Sequence, residues 1–282
     1  MLPGAYNGQV ARLCALNGFQ SLYLSGAALS GSHGLPDIGL LTMDQFTAKI
    51  KEISLASGLP LIADADTGFG EGEMVHKTVW EYFLSGASAL HLEDQEFPKR
   101  CGHLDGKTLI SAQDMAEKVR LAVRASKECS GGEFVVCART DAAGVHGIEE
   151  TIKRSKLYVD AGADLIFPEG LATEAEFGKV AKELKGYGKK GGPFLLANMT
   201  EFGKTPYISA QRFKELGYHC IIYPVSTFRI ANKAVDDFLK DLKAKGSQVD
   251  SVPKMQTRKE LYATIEYAPG VEYHYPSSST KK

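Results

Sequence analysis

The chain has 282 residues, 44% of them hydrophobic and 24% charged, an ordinary composition for a folded domain with a sizeable core. Its 33 basic residues face 34 acidic ones for a formal charge of −1, with no long block of one sign, so nothing points to nucleic acid or an anionic membrane as partner. Five scattered cysteines (Cys14, Cys101, Cys129, Cys137, Cys220) without a CxxC pair exclude a disulfide framework and a zinc-ribbon spacing, and fit a reducing compartment. No apolar stretch has the length of a membrane span, and the N-terminus lacks a basic region followed by an apolar one. The expected location is the cytoplasm, or the mitochondrial matrix for a processed eukaryotic chain.

Leu2-Pro3-Gly4 reads as the stub of a first strand. Four segments, 18–25, 86–93, 162–169 and 217–224, then repeat one pattern: an amphipathic stretch, a glycine, and a short apolar run that closes on a polar residue or proline. Continuous apolar runs suit strands buried on both faces, as parallel strands are. Further runs at 61–65, 134–138 and 194–197 bring the candidate strands to eight. Thr42 with Gln45 and Ser111 with Asp114 place a capping hydroxyl three residues before a side chain able to reach back, so each opens a helix. Repeating helix and strand units in this number predict a (β/α)8 TIM-type barrel over 1–245. An open doubly wound sheet fits less well, because Ser25-Gly26-Ala27-Ala28 is a poor phosphate turn. Helices are expected at 232–245 and 255–267, with 246–267 as a helical extension that needs another surface to cover it, such as a neighbouring subunit, and 268–282 as a disordered tail.

Active sites of parallel barrels lie at the C-terminal ends of the strands, so the polar residue closing each run is the one to read. These are Ser25, Asp64 with Asp66, Glu93, Arg139 with Asp141, Glu169, and Asn198 with Thr200. Asp64 and Asp66, two apart, would share a face of an extended strand and be joined by Glu93. Three carboxylates without histidine suit a hard cation, Mg²⁺ or Mn²⁺, rather than zinc. Arg139 has the shape to grip a carboxylate through two hydrogen bonds, or to pair with Asp141 or Glu169. Asn198 and Thr200 add neutral donors, and the amides around Ser25 and Gly26 offer a place for an oxyanion. The loop Lys99-Arg-Cys-Gly-His puts Cys101 among positive charges that favour its thiolate, in what reads as an exposed loop, so Cys101 is a candidate nucleophile or proton carrier. Such equipment fits a small polycarboxylate or 2-oxo acid.

Several motifs together resemble the isocitrate lyase and phosphoenolpyruvate mutase superfamily: Gly34-Leu-Pro-Asp-Ile-Gly, Asp64-Ala-Asp-Thr-Gly-Phe-Gly, Leu92-Glu-Asp-Gln, Lys99-Arg-Cys-Gly-His, Ala138-Arg-Thr-Asp, Phe167-Pro-Glu, Ala197-Asn-Met-Thr-Glu-Phe-Gly and Met255-Gln-Thr-Arg-Lys-Glu-Leu-Tyr. The resemblance implies a Mg²⁺-dependent lyase that cleaves a 2-hydroxy tricarboxylate, 2-methylisocitrate, to pyruvate and succinate, in a homotetramer with C-terminal helices exchanged between subunits. It makes Asp66 the direct metal ligand, with Asp64 and Glu93 acting through water. Ser25, Gly26 and Ala27 would hold the 2-oxo acid half, although many relatives carry a second glycine at Ala27. Arg139 and Glu169 would line the centre, and Gly102, His103, Asn198 and Thr200 would bind the succinate half. Tyr23 and Asp37 would support the site, and Cys101 would protonate the succinate carbanion. Isocitrate, 2,3-dimethylmalate and oxaloacetate are the alternative substrates, and an inactive metabolite-binding barrel is the alternative of another class.

Overall fold

Each of the eight expected runs forms a strand: β1 Leu2–Pro3, β2 Leu22–Leu24, β3 Leu61–Asp64, β4 Ala89–Glu93, β5 Val135–Thr140, β6 Leu165–Pro168, β7 Phe194–Asn198 and β8 Cys220–Tyr223. The structure, a computed structural model, describes residues 1–100, 102, 106–188 and 191–274. All the strands are parallel, in the order β1-β8-β7-β6-β5-β4-β3-β2. The ring closes where Ala5 N donates to Tyr23 O at 2.9 Å, beside a parallel bridge between Gly4 and Tyr23.

Helices fill the crossovers in the expected alternation. α1 (Gly8–Leu16) follows β1, α2 (Gly26–Ser32) and α3 (Met43–Ser57) follow β2, α4 (Glu73–Leu84) follows β3, and α5 (Ala112–Ser130) follows β4. α6 (Ala143–His146) and α7 (Ile148–Asp160) come after β5, α8 (Glu174–Leu184) after β6, α9 (Ala210–Glu215) after β7, and α10 (Ser226–Lys245) after β8. The starts read from sequence hold: Thr42 N donates to Gln45 Oε1 at 2.9 Å in a capping box, and Ser111 Oγ accepts from Asp114 N at 3.0 Å.

Alternation along the strands divides the core in two. One set, including Leu24, Ala63, Leu92, Val136, Ala138, Ile166 and Ala197, packs outward under the helices. The other set, Leu2, Tyr23, Cys137, Leu165, Phe167, Leu196 and Ile222, fills the barrel interior. Followed from floor to mouth, the interior column runs Ala89, His91, Glu93 on β4, Val135, Cys137, Arg139 on β5, and Leu165, Phe167, Glu169 on β6. These three columns end in charged groups, Glu93, Arg139 and Glu169.

The C-terminal region departs from expectation. One helix runs from Ser226 rather than from 232, a 3-10 turn occupies Val249–Lys254, and α11 covers only Arg258–Thr264. α11 rests on its own chain: buried Arg12 of α1 donates through Nε to Thr264 O at 2.6 Å and through Nη1 to Ala56 O at 3.1 Å, and pairs with Glu266 at 2.8 Å. α10, by contrast, has no buried residue and exposes Ile230, Val235 and Leu239. Residues 275–282, most of the expected tail, lie outside the described residues.

Candidate active site

The mouth of the barrel gathers five buried carboxyl groups, Asp64, Asp66, Glu93, Asp141 and Glu169, around three buried cations, Lys99, Lys107 and Arg139. Charges removed from water persist only where partners and hydrogen bonds compensate the lost hydration. Arg139, at the end of β5, is the hub: Nε donates to Asp141 Oδ2 at 2.9 Å and Nη2 to Asp141 Oδ1 at 3.2 Å, while Nη1 lies 3.2 Å from Glu93 and 3.8 Å from Glu169. Its guanidinium stands 5.2 Å over the Phe167 ring, which fixes the plane of the fork. Asp141 is itself anchored, since its amide donates to Asp94 Oδ1 at 2.9 Å, and Asp94 Oδ2 accepts from Thr140, Tyr158 and Arg154 at 2.8, 2.8 and 3.1 Å.

Asp64 and Asp66 meet by a different route from the one their spacing suggested. β3 ends at Asp64, and Asp66 lies beyond it with φ +45°, in left-handed backbone, so strand alternation does not align them. The turn folds back instead: Asp66 N donates to Asp64 Oδ1 and Gly26 N to Asp64 Oδ2, both at 3.0 Å. A Cβ on Gly26 would stand 2.9 Å from Asp64 Oδ2 and 3.4 Å from Asp66 Oδ1, so only glycine lets α2 approach both carboxylates without a shift. The Gly26 amide is thereby occupied by Asp64 rather than left open for an oxyanion. On the far side of the turn, buried Lys118 donates to Thr67 O at 3.1 Å and pairs with Glu71 at 2.7 Å.

Lys99 is not spent on a thiol. Its ammonium is buried, donates to Asp37 Oδ1 at 2.5 Å and lies 2.8 Å from Asp66 Oδ1, so the expectation of an exposed basic loop is corrected at this residue. Four carboxylates outweigh the cost of burying that cation. Lys107, also buried, donates to Asp141 Oδ1 at 2.9 Å and to Gly102 O. Gly102 in turn packs over the site, where a Cβ would come within 2.4 Å of Glu169 Cγ and 2.5 Å of Arg139 Nη2. Cys101 and His103 fall outside the described residues.

Burial dominates the protonation of the cluster. It pushes Glu93 well above the usual carboxylate range and Asp66 up to about 6, against the pull of Arg139 and Lys99. Burial would raise Asp64 too, but facing His91, Lys99 and Arg139 and the Asp66 amide bring it down to about 2. Burial lowers His91 to about 4, against the pull of Asp64. Burial, reinforced by Asp64, raises the Tyr23 phenol well above its ordinary value.

The donor set fits a hard divalent cation. Asp66 Oδ1 and both Glu93 oxygens are buried without a well-aligned hydrogen bond, with Lys99 paired to Asp66 and Arg139 to Glu93. Asp64 has both oxygens engaged by amides, which suits orienting Asp66 better than ligating directly.

The remaining expected residues also converge. A small cavity of about 80 Å³ is lined by Tyr23, Ser25, Ala27, Asp37, Asn198 and Thr200, among others. Asn198 Nδ2 donates to Glu169 Oε2 at 3.1 Å. Sequence reasoning passed over Lys99 and Lys107 as site partners, Asp94, His91 and Arg229. Arg229 of α10 reaches the same cavity, 3.7 Å from Glu201 and 5.2 Å over the Phe202 ring. Nothing local marks Arg229, but His91 interrupts an otherwise apolar strand, a signal that was available.

Fold and site define the class, a (β/α)8 barrel enzyme with a buried, carboxylate-rich mouth centred on an arginine. The chain belongs to the phosphoenolpyruvate phosphomutase family, whose model matches residues 1–243. It is 47% identical over 265 residues to a 2-methylisocitrate lyase of Aeropyrum pernix, covering 94% of this chain and 82% of that protein. It is 44% identical over 267 residues to a 2-methylisocitrate lyase of Bacillus subtilis, covering 94% and 84%. Among solved structures, 2,3-dimethylmalate lyase, described as a member of the PEP mutase/isocitrate lyase superfamily, superposes with a TM-score of 0.86 at 38% identity, covering 93% of this chain and 85% of that one. A phosphonopyruvate hydrolase bound to oxalate and Mg²⁺ superposes with a TM-score of 0.80 at 28% identity, covering 93% and 88%.

Proposed function

We propose that the protein is a carbon–carbon lyase that cleaves 2-methylisocitrate to pyruvate and succinate, the closing step of the methylcitrate route of propionate breakdown. The observation that carries this reading is Arg139, a buried guanidinium held by Asp141 and aimed between Glu93 and Glu169, in a chain similar to 2-methylisocitrate lyases over nearly its whole length. In the reaction the bond between the hydroxyl-bearing carbon and its neighbour breaks. The hydroxyl loses its proton and becomes the carbonyl of pyruvate, and the electron pair passes to the succinate carbon, which takes up a proton.

Arg139, its Nε and Nη2 held by Asp141, turns Nη1 to a substrate carboxylate, and Ser25, Gly26 and Ala27 border the half that becomes pyruvate. Asn198, Thr200 and Gly102 border the succinate half, for which His103 is the further proposed binding residue, with Arg229 at the rim for another carboxylate. Cys101 gives the proton to the succinate carbanion, Glu169 and Tyr23 hold the reacting oxygens, and Asp37 supports the site through Lys99. Mg²⁺ or Mn²⁺, held by Asp66 with Asp64 and Glu93 behind it, would supply positive charge where the hydroxyl oxygen becomes negative.

We further propose that the apolar side chains exposed on α10 are covered by other copies in a homotetramer, where C-terminal segments are exchanged. The cytoplasm is the proposed location; among the described residues no helix is long and apolar enough to cross a membrane. Product formation from 2-methylisocitrate, isocitrate, 2,3-dimethylmalate and oxaloacetate, with Mg²⁺ and with EDTA, tests the reading. Pyruvate and succinate from 2-methylisocitrate at the highest kcat/KM, lost in EDTA, support it, and preference for another acid reassigns the substrate. Cys101→Ser should abolish turnover while pyruvate still binds; normal turnover in that variant would remove cysteine from the mechanism.

A further inference from the structure

His91 sits in the middle layer of the barrel, fully buried and two residues below Glu93 in the β4 column. A polar ring in that layer costs free energy unless it is hydrogen bonded, and a hydrocarbon side chain would fill the space. Its one side-chain hydrogen bond runs from Nε2 to the Tyr23 hydroxyl at 2.7 Å, and the two rings lie nearly parallel with centroids 5.8 Å apart. Nδ1 is buried without a partner, and the nearest charge, Asp64 Oδ1, lies 3.6 Å from Nε2. Phe167 closes the neighbouring side edge-on at 5.4 Å.

These contacts fix the direction of the hydrogen bond. A buried donor without a partner is rarer than a buried acceptor without one, and a proton on Nδ1 would be such a donor. The proton therefore belongs on Nε2, where it faces both the Tyr23 oxygen and the Asp64 carboxylate, and the unpartnered Nδ1 is the acceptor. Tyr23 Oη receives from His91, so its own hydrogen turns away from the ring and into the cavity that Tyr23 lines.

We infer that His91 is a positioning residue that acts through Tyr23: by donating from Nε2 it makes Tyr23 a hydrogen-bond donor toward the bound substrate's reacting oxygen. Tyr23 then stabilises negative charge as it develops on that oxygen, and the base that removes the hydroxyl proton lies elsewhere in the site. The inference rests on the proposed lyase reading for what Tyr23 faces, but not for how His91 holds it.

Neutron diffraction from crystals of the wild-type protein reads the arrangement without any variant. A deuteron on His91 Nε2, with the Tyr23 O–D directed into the cavity, is expected. A deuteron on Nδ1, with Tyr23 donating to the ring, overturns the inference. Its consequence is tested in the Mg²⁺-loaded full chain with His91→Gln, which keeps a donor near Nε2, and His91→Met, which has none. His91→Met should lower kcat about 30-fold, within the range of a lost oxyanion donor, with KM changed less than about threefold, and His91→Gln should restore most of the loss. In a Tyr23→Phe background His91→Met should cost nothing more. Equal losses in both backgrounds, or no rescue in a folded His91→Gln protein, would show that His91 is only packing. Should 2-methylisocitrate prove to be the wrong substrate, the same cycle is read on whichever of the four acids is cleaved, so the two failures stay distinct.

Discussion

The floor and the mouth of this barrel are made by the same strands, four residues apart on β4, β5 and β6, and they are held together by opposite means. At the floor Leu165, Leu196 and Ile222 pack hydrocarbon against hydrocarbon, and each fully buried side chain of this size contributes about 1.5–3 kcal/mol. At the mouth Arg139, Lys99 and Lys107 are locked among carboxylates, an arrangement that gives little net stability because the charges are stripped of water. The floor provides the stability that the mouth spends on holding charge in place for chemistry. Substitutions at the two levels should therefore separate activity from stability.

The largest effect on activity is expected from Arg139→Leu, which takes away the carboxylate grip and leaves Asp141 and Glu93 facing each other. kcat/KM should fall about 10³-fold or more, and stability by about 3–5 kcal/mol, the usual cost of breaking a buried charge pair. A thermal melt alongside the steady-state assay checks both. Asp66→Asn should weaken Mg²⁺ or Mn²⁺ binding about 10²-fold, comparable to losses at metal-ordering positions, and calorimetric titration reads it directly; undiminished affinity would move the metal away from Asp66. Lys107→Met unties Gly102 O and Asp141, and should lower kcat/KM about tenfold while protease cleavage around 96–107 becomes faster. Leu196→Ala should leave kcat/KM within about twofold and cost about 2–5 kcal/mol by urea unfolding. If the floor variant lost activity in proportion to stability, the division between the levels would fail. Lys240→Ala, on the outer face of α10, should change neither the melting temperature nor the rate, because its pair with Asp236 stands in open solvent.

Much of this was legible in the sequence because parallel strands buried on both faces leave continuous apolar runs, and in a barrel the residue that closes each run points at the site. Asp64, Glu93, Arg139, Glu169 and Asn198 were found by that rule alone, and the structure brings them to one mouth. Asp66 was named as well, but it reaches the cluster through a left-handed turn rather than by strand alternation, a geometry that spacing does not encode. Lys99 and Lys107 belong to a polar, glycine-bearing segment that looks solvated, and only the fold reveals the carboxylates that draw them inward. His91 was counted as part of an apolar run, since a single polar residue hardly alters the run's hydropathy. The resting place of α11 was hidden for a further reason: Arg12 lies near the other end of the chain and holds the helix end through the carbonyl of Thr264, which carries no sequence signal, and through Glu266 beyond it.

Lys99 has a meaning for the life of the protein before it ever meets an ion. A barrel that folded around Asp66 and Glu93 with no positive charge between them would be obliged to recruit metal during synthesis, as small zinc domains are. Here a cation encoded in the chain arrives with the loop after β4 and sits beside Asp66 and Asp37. The chain thus carries its own compensation for these buried carboxylates, in a side chain that the fold itself delivers.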